Sequence, residues 1–308
     1  MSREAKTNLI LFSIVLVLAL IVWLKPGIKT NSHHYISSLD RDEISEIHLQ
    51  RQGLDNISLN KHHGLWFLSE PYQLPANPLR VNSITALVEK RSYTRFQVNN
   101  TELNRYHLDK PLVRISFDNE QFIIGSADPL MQRRYTMNIS DNTQSAKKTV
   151  HLIDGLIFYQ LRAALDSFIS LRLIPAQAKI KRISWPGKRL KLTHTQWQLT
   201  PSPAAAVSND SIVQLIHFWE QAQATKVETN IKINIGNKIR KKNSISIEFM
   251  LNNTTETQII NYVIIQQGQQ IKLLRPDINI AYWISPQTLK MISGFSPVPV
   301  TSSQKNKH

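Results

Sequence analysis

The stretch LWFLSEPYQLPANPLRVNSITALVEKRSYTRF, residues 65–96, decides how this chain is organised, because QWQLTPSPAAAVSNDSIVQLIHFWEQAQATKV, residues 196–227, repeats its pattern. Trp66 and Trp197, Leu68 and Leu199, and Thr94 and Thr225 all stand 131 positions apart, while Ser83-Ile84 and Ser211-Ile212 stand 128 apart. Upstream, ISEIHLQ from Ile44 and the following ISLN answer IKRISW from Ile180 and RLKL. Downstream, VRISF at 113–117 answers ISIEF at 245–249, and TVHLI at 149–153 answers AYWIS at 281–285, both at an offset of 132. Self-similarity at a fixed period marks a duplicated structural unit, here one of about 130 residues.

Within a unit the local signals read β-β-β-α-β-β-β-β-α. Ile47/Leu49, Ile57/Leu59 and Trp66/Leu68 alternate with the period of two that marks half-buried strands. Val113, Ile115 and Phe117, then residues 122–124, Tyr135/Met137/Ile139 and Val150/Leu152 supply further strands. A helix is expected from Asn77 or Pro78, carrying Ile84, Leu87 and Val88; its counterpart carries Ile212, Leu215, Ile216 and Trp219 on one face. Phe158, Leu161, Leu165 and Phe168 predict a closing helix. The fold expected is therefore α+β, two tandem repeated lobes of antiparallel sheet with packed helices. Their boundary is expected near Leu173-Ile174-Pro175, with residues 44–175 as the first lobe and 176–295 as a degenerate second one.

Ahead of the repeat lies TNLILFSIVLVLALIVWL, 18 residues between Lys6 and Lys25. As a helix it would span about 27 Å, close to the hydrocarbon thickness of a bilayer, with both lysines able to snorkel and Trp23 at the distal boundary. No small-residue cleavage site follows in Lys25, Pro26, Gly27, Ile28 and Lys29, so an uncleaved anchor is the expectation rather than a signal peptide. The layout expected is a cytoplasmic tail at 1–6, a single-pass transmembrane anchor at 7–25 and a linker at 26–43. The bulk of the chain then lies in the periplasm, held at the inner membrane, and a disordered tail follows at 296–308.

Lys and Arg number 37 against 22 Asp and Glu, a net charge of +15, which suits an anionic lipid surface or an acidic partner. Nucleic acid is disfavoured, since no aromatic residues interleave with the basic runs and no nucleic-acid fold signature accompanies them. The absence of cysteine excludes disulfides, thiolate metal sites and cysteine nucleophiles.

The run Tyr106-His107-Leu108-Asp109-Lys110-Pro111, followed by Ile124-Gly125, resembles the signature of a bacterial family of domains of unknown function numbered 4340, aromatic-Gly-Leu-Asp-x-Pro and then Ile-Gly. Trp66-Phe67-Leu68 and Ala76-Asn77-Pro78 with Val81 fit the family's upstream pattern, and the resemblance covers residues 44–175. It departs at His107, where glycine is usual, and the second copy has no Leu-Asp-x-Pro. The resemblance implies an envelope or transport-associated accessory protein. Asp109 and Pro111 by themselves suit a turn leading into the strand at Val113.

No GxSxG, HExxH, P-loop or GxGxxG occurs, and nine glycines leave little for phosphate-cradling loops, so neither an enzyme nor a cofactor is expected. The pairs His33-His34 and His62-His63 sit badly for a shared metal, because neighbours on an extended segment face opposite ways. Asp40, Asp42, Glu43 and Glu46 read as a solvated entry, and Arg133-Arg134 as arginines flanking a strand. The candidate partner site is a basic patch in the second lobe. Lys179, Lys181, Arg182, Lys188, Arg189 and Lys191 form its first part, and Lys238, Arg240, Lys241 and Lys242, in the run that begins at Lys232, form its second. Three functions follow as expectations: a non-enzymatic scaffold for a transport or assembly complex with a membrane or envelope protein partner, a binder of lipid, glycan or peptide between the lobes, or a cytoplasm-facing nucleic-acid binder.

Overall fold

In β2 (Glu46–Arg51) every second side chain turns inward, and Ile47, Leu49 and Arg51 face Phe117, Ile115 and Val113 of β8 (Val113–Phe117) across an antiparallel ladder. The computed structural model describes residues 3–24, 34–140, 147–202, 207–231, 243–252 and 255–294. After α1 (Arg3–Leu24) and a short ribbon of β1 (His34–Tyr35) with β6 (Arg91–Ser92), the first unit supplies β2, β3 (Ile57–His62), β4 (Leu65–Glu70), β5 (Leu74–Pro75) and α2 (Pro78–Thr85). It continues through β7 (Thr94–Asn99), β8, β9 (Glu120–Ala127), β10 (Arg133–Asn138), β11 (Lys147–Asp154) and α3 (Leu156–Leu161). The second unit runs β12 (Ala178–Trp185), β13 (Lys188–Thr193), β14 (Gln196–Thr200), α4 (Asn209–Gln221) and β15 (Lys226–Glu228). It closes with β16 (Ser244–Leu251), β17 (Thr257–Gln267), β18 (Gln270–Arg275), β19 (Ile280–Ile284) and α5 (Pro286–Ser293).

The first sheet has nine strands in the order β5-β4-β3-β2-β8-β9-β10-β11-β7, and the second has eight, β14-β13-β12-β16-β17-β18-β19-β15. Apart from β5, one order maps onto the other strand for strand. Five strands of the large sheet follow the first helix of each unit, one more than the sequence pattern suggested. In the first unit β7, TRFQVN from Thr94, pairs with residues 147–152 of β11 as an edge.

The chain is thus mostly antiparallel sheet with few helices, which corrects the α+β expectation. The helical runs are short: α2 has eight residues and α3 has six. The expected closing helix breaks after Leu161 and resumes only as a 3-10 turn, Leu165–Phe168, because the buried Arg51 guanidinium donates to the Ala163 carbonyl and holds that segment out of helical pairing. The anchor expectation is corrected too. Residues 3–24 are helical, yet among the described residues no helix is long and apolar enough to cross a membrane. Residues 26–33 of the expected linker and the tail at 296–308 lie outside the described residues.

Helices cover one face of each sheet. Asn77 caps α2 by accepting from the Leu79 amide at 3.1 Å, and Ser208 caps α4 by accepting from Ser211 at 3.2 Å. Val81, Ile84, Ile212, Leu215, Ile216 and Trp219 point into a core that is continuous between the units. Trp219 donates to the Ile292 carbonyl at 2.9 Å, tying α4 to α5. Tyr262 of β17, fully enclosed, donates to the carbonyl of Leu173 in the connection between units, and burial pushes its phenol well above the ordinary range.

Removing that phenol leaves a buried carbonyl unpaired. Tyr262→Phe is expected to cost about 1–3 kcal/mol, read as a lower midpoint at unchanged slope in urea unfolding.

Candidate functional site

Where the edge of the first sheet meets the second, a cavity of about 450 Å³ opens between the units. Phe67, Leu68 and Ser69 of β4 and residues 73–75 form one wall. Phe249 and Leu251 of β16, with residues 258–260 of β17, form the other. Ile259 stands 54% exposed at this wall, an apolar side chain left uncovered in a strand interior.

Two guanidinium groups reach the same space from different directions. Arg275, at the end of β18, is only 13% exposed and pairs with Asp277 at 2.7 Å. Burial pulls its pKa down, but the hydrogen bond and charge of Asp277, with Tyr262 and Tyr282, more than restore it and leave it above the ordinary value. Arg172, in the connection between units, donates to the Glu220 carbonyl at the end of α4. In both, Nε is buried and has no hydrogen-bond partner among the described residues. Tyr282 closes the floor, edge-on to Tyr262 with ring centroids 5.9 Å apart. His62 lies at the rim, and among the described residues no carboxylate lines the wall.

The basic patch is partly assembled. Lys179, Arg182, Arg189 and Lys191 fall on the outward face of β12 and β13, where Arg182 opposes Lys191, while Ser184 opposes Arg189. Arg182 is bridged to Glu248 on β16, so the patch is not purely cationic. Lys181 sits at the register shift between Ile180 and Arg182, and Lys188 lies opposite Trp185 at the hairpin end. Lys238, Arg240, Lys241 and Lys242 lie outside the described residues.

The turn at residues 106–111 has a steric logic. A 3-10 helix, Asn100–Tyr106, ends on His107 in the left-handed region at φ +53°, the conformation that glycine adopts without cost. The turn lies so close to β9 that a Cβ added at Gly125 would come 2.1 Å from the Tyr106 carbonyl oxygen and 3.2 Å from that of His107. Ser126 and Arg134 lock the contact, donating to the Tyr106 and Gly125 carbonyls at 3.2 and 3.0 Å. Leu108, with Leu103 and Tyr106, then covers Ile123, Met137 and Val150 on the outer face of the first sheet. Asp109 and Pro111 lie in the bend leading to β8.

A profile described as domain of unknown function (DUF4340) matches residues 66–235, more than half of the chain. The chain belongs to this family. The match begins at β4 and crosses into the second unit, so it covers a different stretch from the residues 44–175 that carried the resemblance. No curated protein and no solved structure matches the chain. In this chain His107 holds the left-handed cap position and Gly125 the close approach beneath the turn.

Other sequence candidates serve local structure. His63 takes a positive φ in the β3–β4 turn, His34 lies in β1, and His33 lies outside the described residues. Among the described residues no group of three or more His, Asp or Glu side chains is placed to hold a metal ion. Asp40 accepts from the Asp42 amide, and Glu46 pairs with His48 at 3.0 Å. Arg133 stacks over Tyr93 at 4.0 Å and Arg134 over Phe158 at 3.5 Å. The residues that sequence reasoning missed are Arg172 and Arg275. A charge closing the apolar run IKLLR was a signal, but nothing local connects it with Arg172.

Gly125→Ala is expected to destabilise the fold by about 3 kcal/mol or more, since backbone stands where the methyl must go. His107→Gly is expected to raise stability by about 0.5–1 kcal/mol, as relief of the left-handed strain exceeds the added freedom of the unfolded chain. Thermal and urea unfolding of both variants check the pair. A third expectation concerns His151, held below its usual 6.5 first by burial and then by Arg95 and His34. The unfolded chain therefore binds the proton more readily, so stability present above the unfolded value falls as pH drops through it towards the folded one. Urea midpoints measured across that window should lose this slope in His151→Gln.

Proposed function

We propose that this protein binds an amphipathic ligand, an apolar body with an anionic end, in the cleft between its two sheets. The observation that carries the reading is the lining: Phe67, Phe249, Leu251 and Ile259 supply apolar surface beside Arg172 and Arg275. Small-molecule sites are commonly clefts of about 300–1,000 Å³, mostly apolar with a few placed polar groups, set at junctions between structural units. Arg172, whose guanidinium meets a backbone carbonyl rather than a carboxylate, selects the polar end, because a guanidinium recognises a carboxylate or phosphate in a planar, directional way.

Calorimetric titration of the purified chain with dodecanoate tests the reading. Saturable binding is expected, weakened about tenfold or more by Arg172→Gln and by Ile259→Trp, each equivalent to about 1.4 kcal/mol. Ile259 is half exposed, so its replacement should narrow the cleft while leaving the unfolding midpoint unchanged. Absence of saturable binding, or binding indifferent to both substitutions, would remove the cleft from consideration.

A second reading, a scaffold contacting a protein partner, draws on the apolar surface where the β9–β10 turn crosses the start of α3. Leu130 is 88% exposed and Leu156 68%, with Tyr93 and Tyr159 beside them. Gly155 permits the crossing, since a Cβ there would lie 2.2 Å from the Gln132 carbonyl oxygen. Exposed apolar groups gathered in this way mark contact surfaces. A partner recovered with the wild-type chain but lost with Leu156→Glu, at unchanged stability, would support this reading over the first.

A further inference from the structure

The two guanidinium groups of the cleft do not carry equal weight in charge. Arg275 is paired with Asp277 at 2.7 Å, and Asp277, half exposed in the turn between β18 and β19, stands outside the lining. The pair therefore brings hydrogen-bonding shape to the wall without net charge. Tyr282 beside it stays neutral, since burial, ahead of the opposing attraction of Arg275, pushes its phenol above the ordinary range. Arg172 differs, because its guanidinium donates to the Glu220 carbonyl, a dipole that leaves the positive charge uncancelled. Among the described residues Arg172 forms no salt bridge. Apart from His62 at the rim, the cavity thus presents two guanidinium groups but a single unbalanced positive charge.

That imbalance reads as specificity, and it rests on the cleft being the ligand site. One carboxylate set against Arg172 is balanced in charge and can take the paired N–H donors of a guanidinium. A phosphate monoester, doubly charged near pH 8, would keep one negative charge without a partner in a partly enclosed apolar space, and burying an unpaired charge is strongly unfavourable. We propose that the cleft selects an apolar chain ending in one carboxylate over the same chain ending in a phosphate monoester, and that Asp277 sets this preference through Arg275. Asp277 is a positioning residue: it meets the guanidinium rather than the ligand, and its charge keeps Arg275 neutralised. Asp277→Asn keeps the hydrogen-bond acceptor but removes the charge, so a second positive charge reaches the wall. A dianion gains from that charge far more than a monoanion already balanced by Arg172.

The full chain is titrated calorimetrically near pH 8 with dodecanoate and with dodecyl phosphate, whose second proton leaves at about pH 6. The wild-type chain is expected to bind dodecanoate about tenfold or more tightly than dodecyl phosphate. Asp277→Asn is expected to shrink that ratio about tenfold by tightening the phosphate, while Asp277→Glu, which retains the charge, keeps it. Each ratio compares two ligands on one protein, so a fraction that fails to fold cancels. Glu89→Gln removes a carboxylate paired with Arg41 in the first unit and should leave the ratio at its wild-type value. Dodecanoate bound without preference over the phosphate, or a ratio indifferent to Asp277→Asn, overturns the inference while the cleft stands as a site. An equal shift on Glu89→Gln overturns it too, since overall charge would then govern binding. No saturable binding of either ligand removes the cleft reading and this inference with it.

Discussion

Residues 169–173 are bonded on one side to the first unit and on the other to the second. Ser170 donates to the Pro75 carbonyl at 2.8 Å and Ile169 bridges Ala76, while Ala224 donates to the Leu171 carbonyl at 2.8 Å and Leu173 to that of Ala222 at 3.1 Å. An extended segment with partners on both flanks cannot shift without breaking hydrogen bonds in both units, and unpaired backbone groups would be left buried. Because Ile169, Leu173 and Ile174 are also fully packed, the apolar interior runs through this segment from one sheet to the other. Two repeated units that could each have closed a separate core instead share one.

The cleft follows from that arrangement. The same segment that joins the units delivers Arg172 to the cavity and offers its Leu173 carbonyl to Tyr262, whose ring braces Tyr282 below Arg275. Arg172 and Arg275 are 103 positions apart in sequence, and only the shared core brings them to one wall. Keeping two arginines at a partly enclosed surface is costly unless each has compensation. Asp277 provides it for Arg275 and the carbonyl at the end of α4 for Arg172. The compensation is partial in both cases, since each Nε remains unpaired among the described residues.

Much of the sheet was legible because strand burial imposes a period of two that survives divergence. Trp66 and Trp197 occupy matching strands, β4 and β14, and the inward residues of β2 and β8 are those whose alternation was visible. Helix length was harder to read. Phe158, Leu161, Leu165 and Phe168 have helical spacing, but the buried Arg51 reaches across from β2 to take the Ala163 carbonyl, a contact between residues 112 apart that no window of sequence contains. The cleft was illegible for the same reason. The basic patch was visible as a composition, yet Glu248 from a distant strand takes one of its members.

The divergence of the two units is sharpest on their outer faces, and there the family signature has its meaning. In the first sheet an apolar row of Ile123, Met137 and Val150 crosses β9, β10 and β11, and the second sheet carries a matching row, Val263, Leu274 and Ala281, across β17, β18 and β19. Such a row on the face away from the helices must be covered, and each unit covers it differently. The first uses the turn around Leu108, which can approach only because Gly125 lacks a side chain. The second packs Ile231 and Ile265 against its row, with no glycine needed at the contact. A turn that must lie flat on a strand demands a left-handed cap, a glycine beneath it and a rigid exit into the next strand, which is the pattern of residues 106–111 with Gly125. Once the cover is built from side chains instead, none of those residues is required, and the signature disappears from the second copy although the sheet beneath it does not.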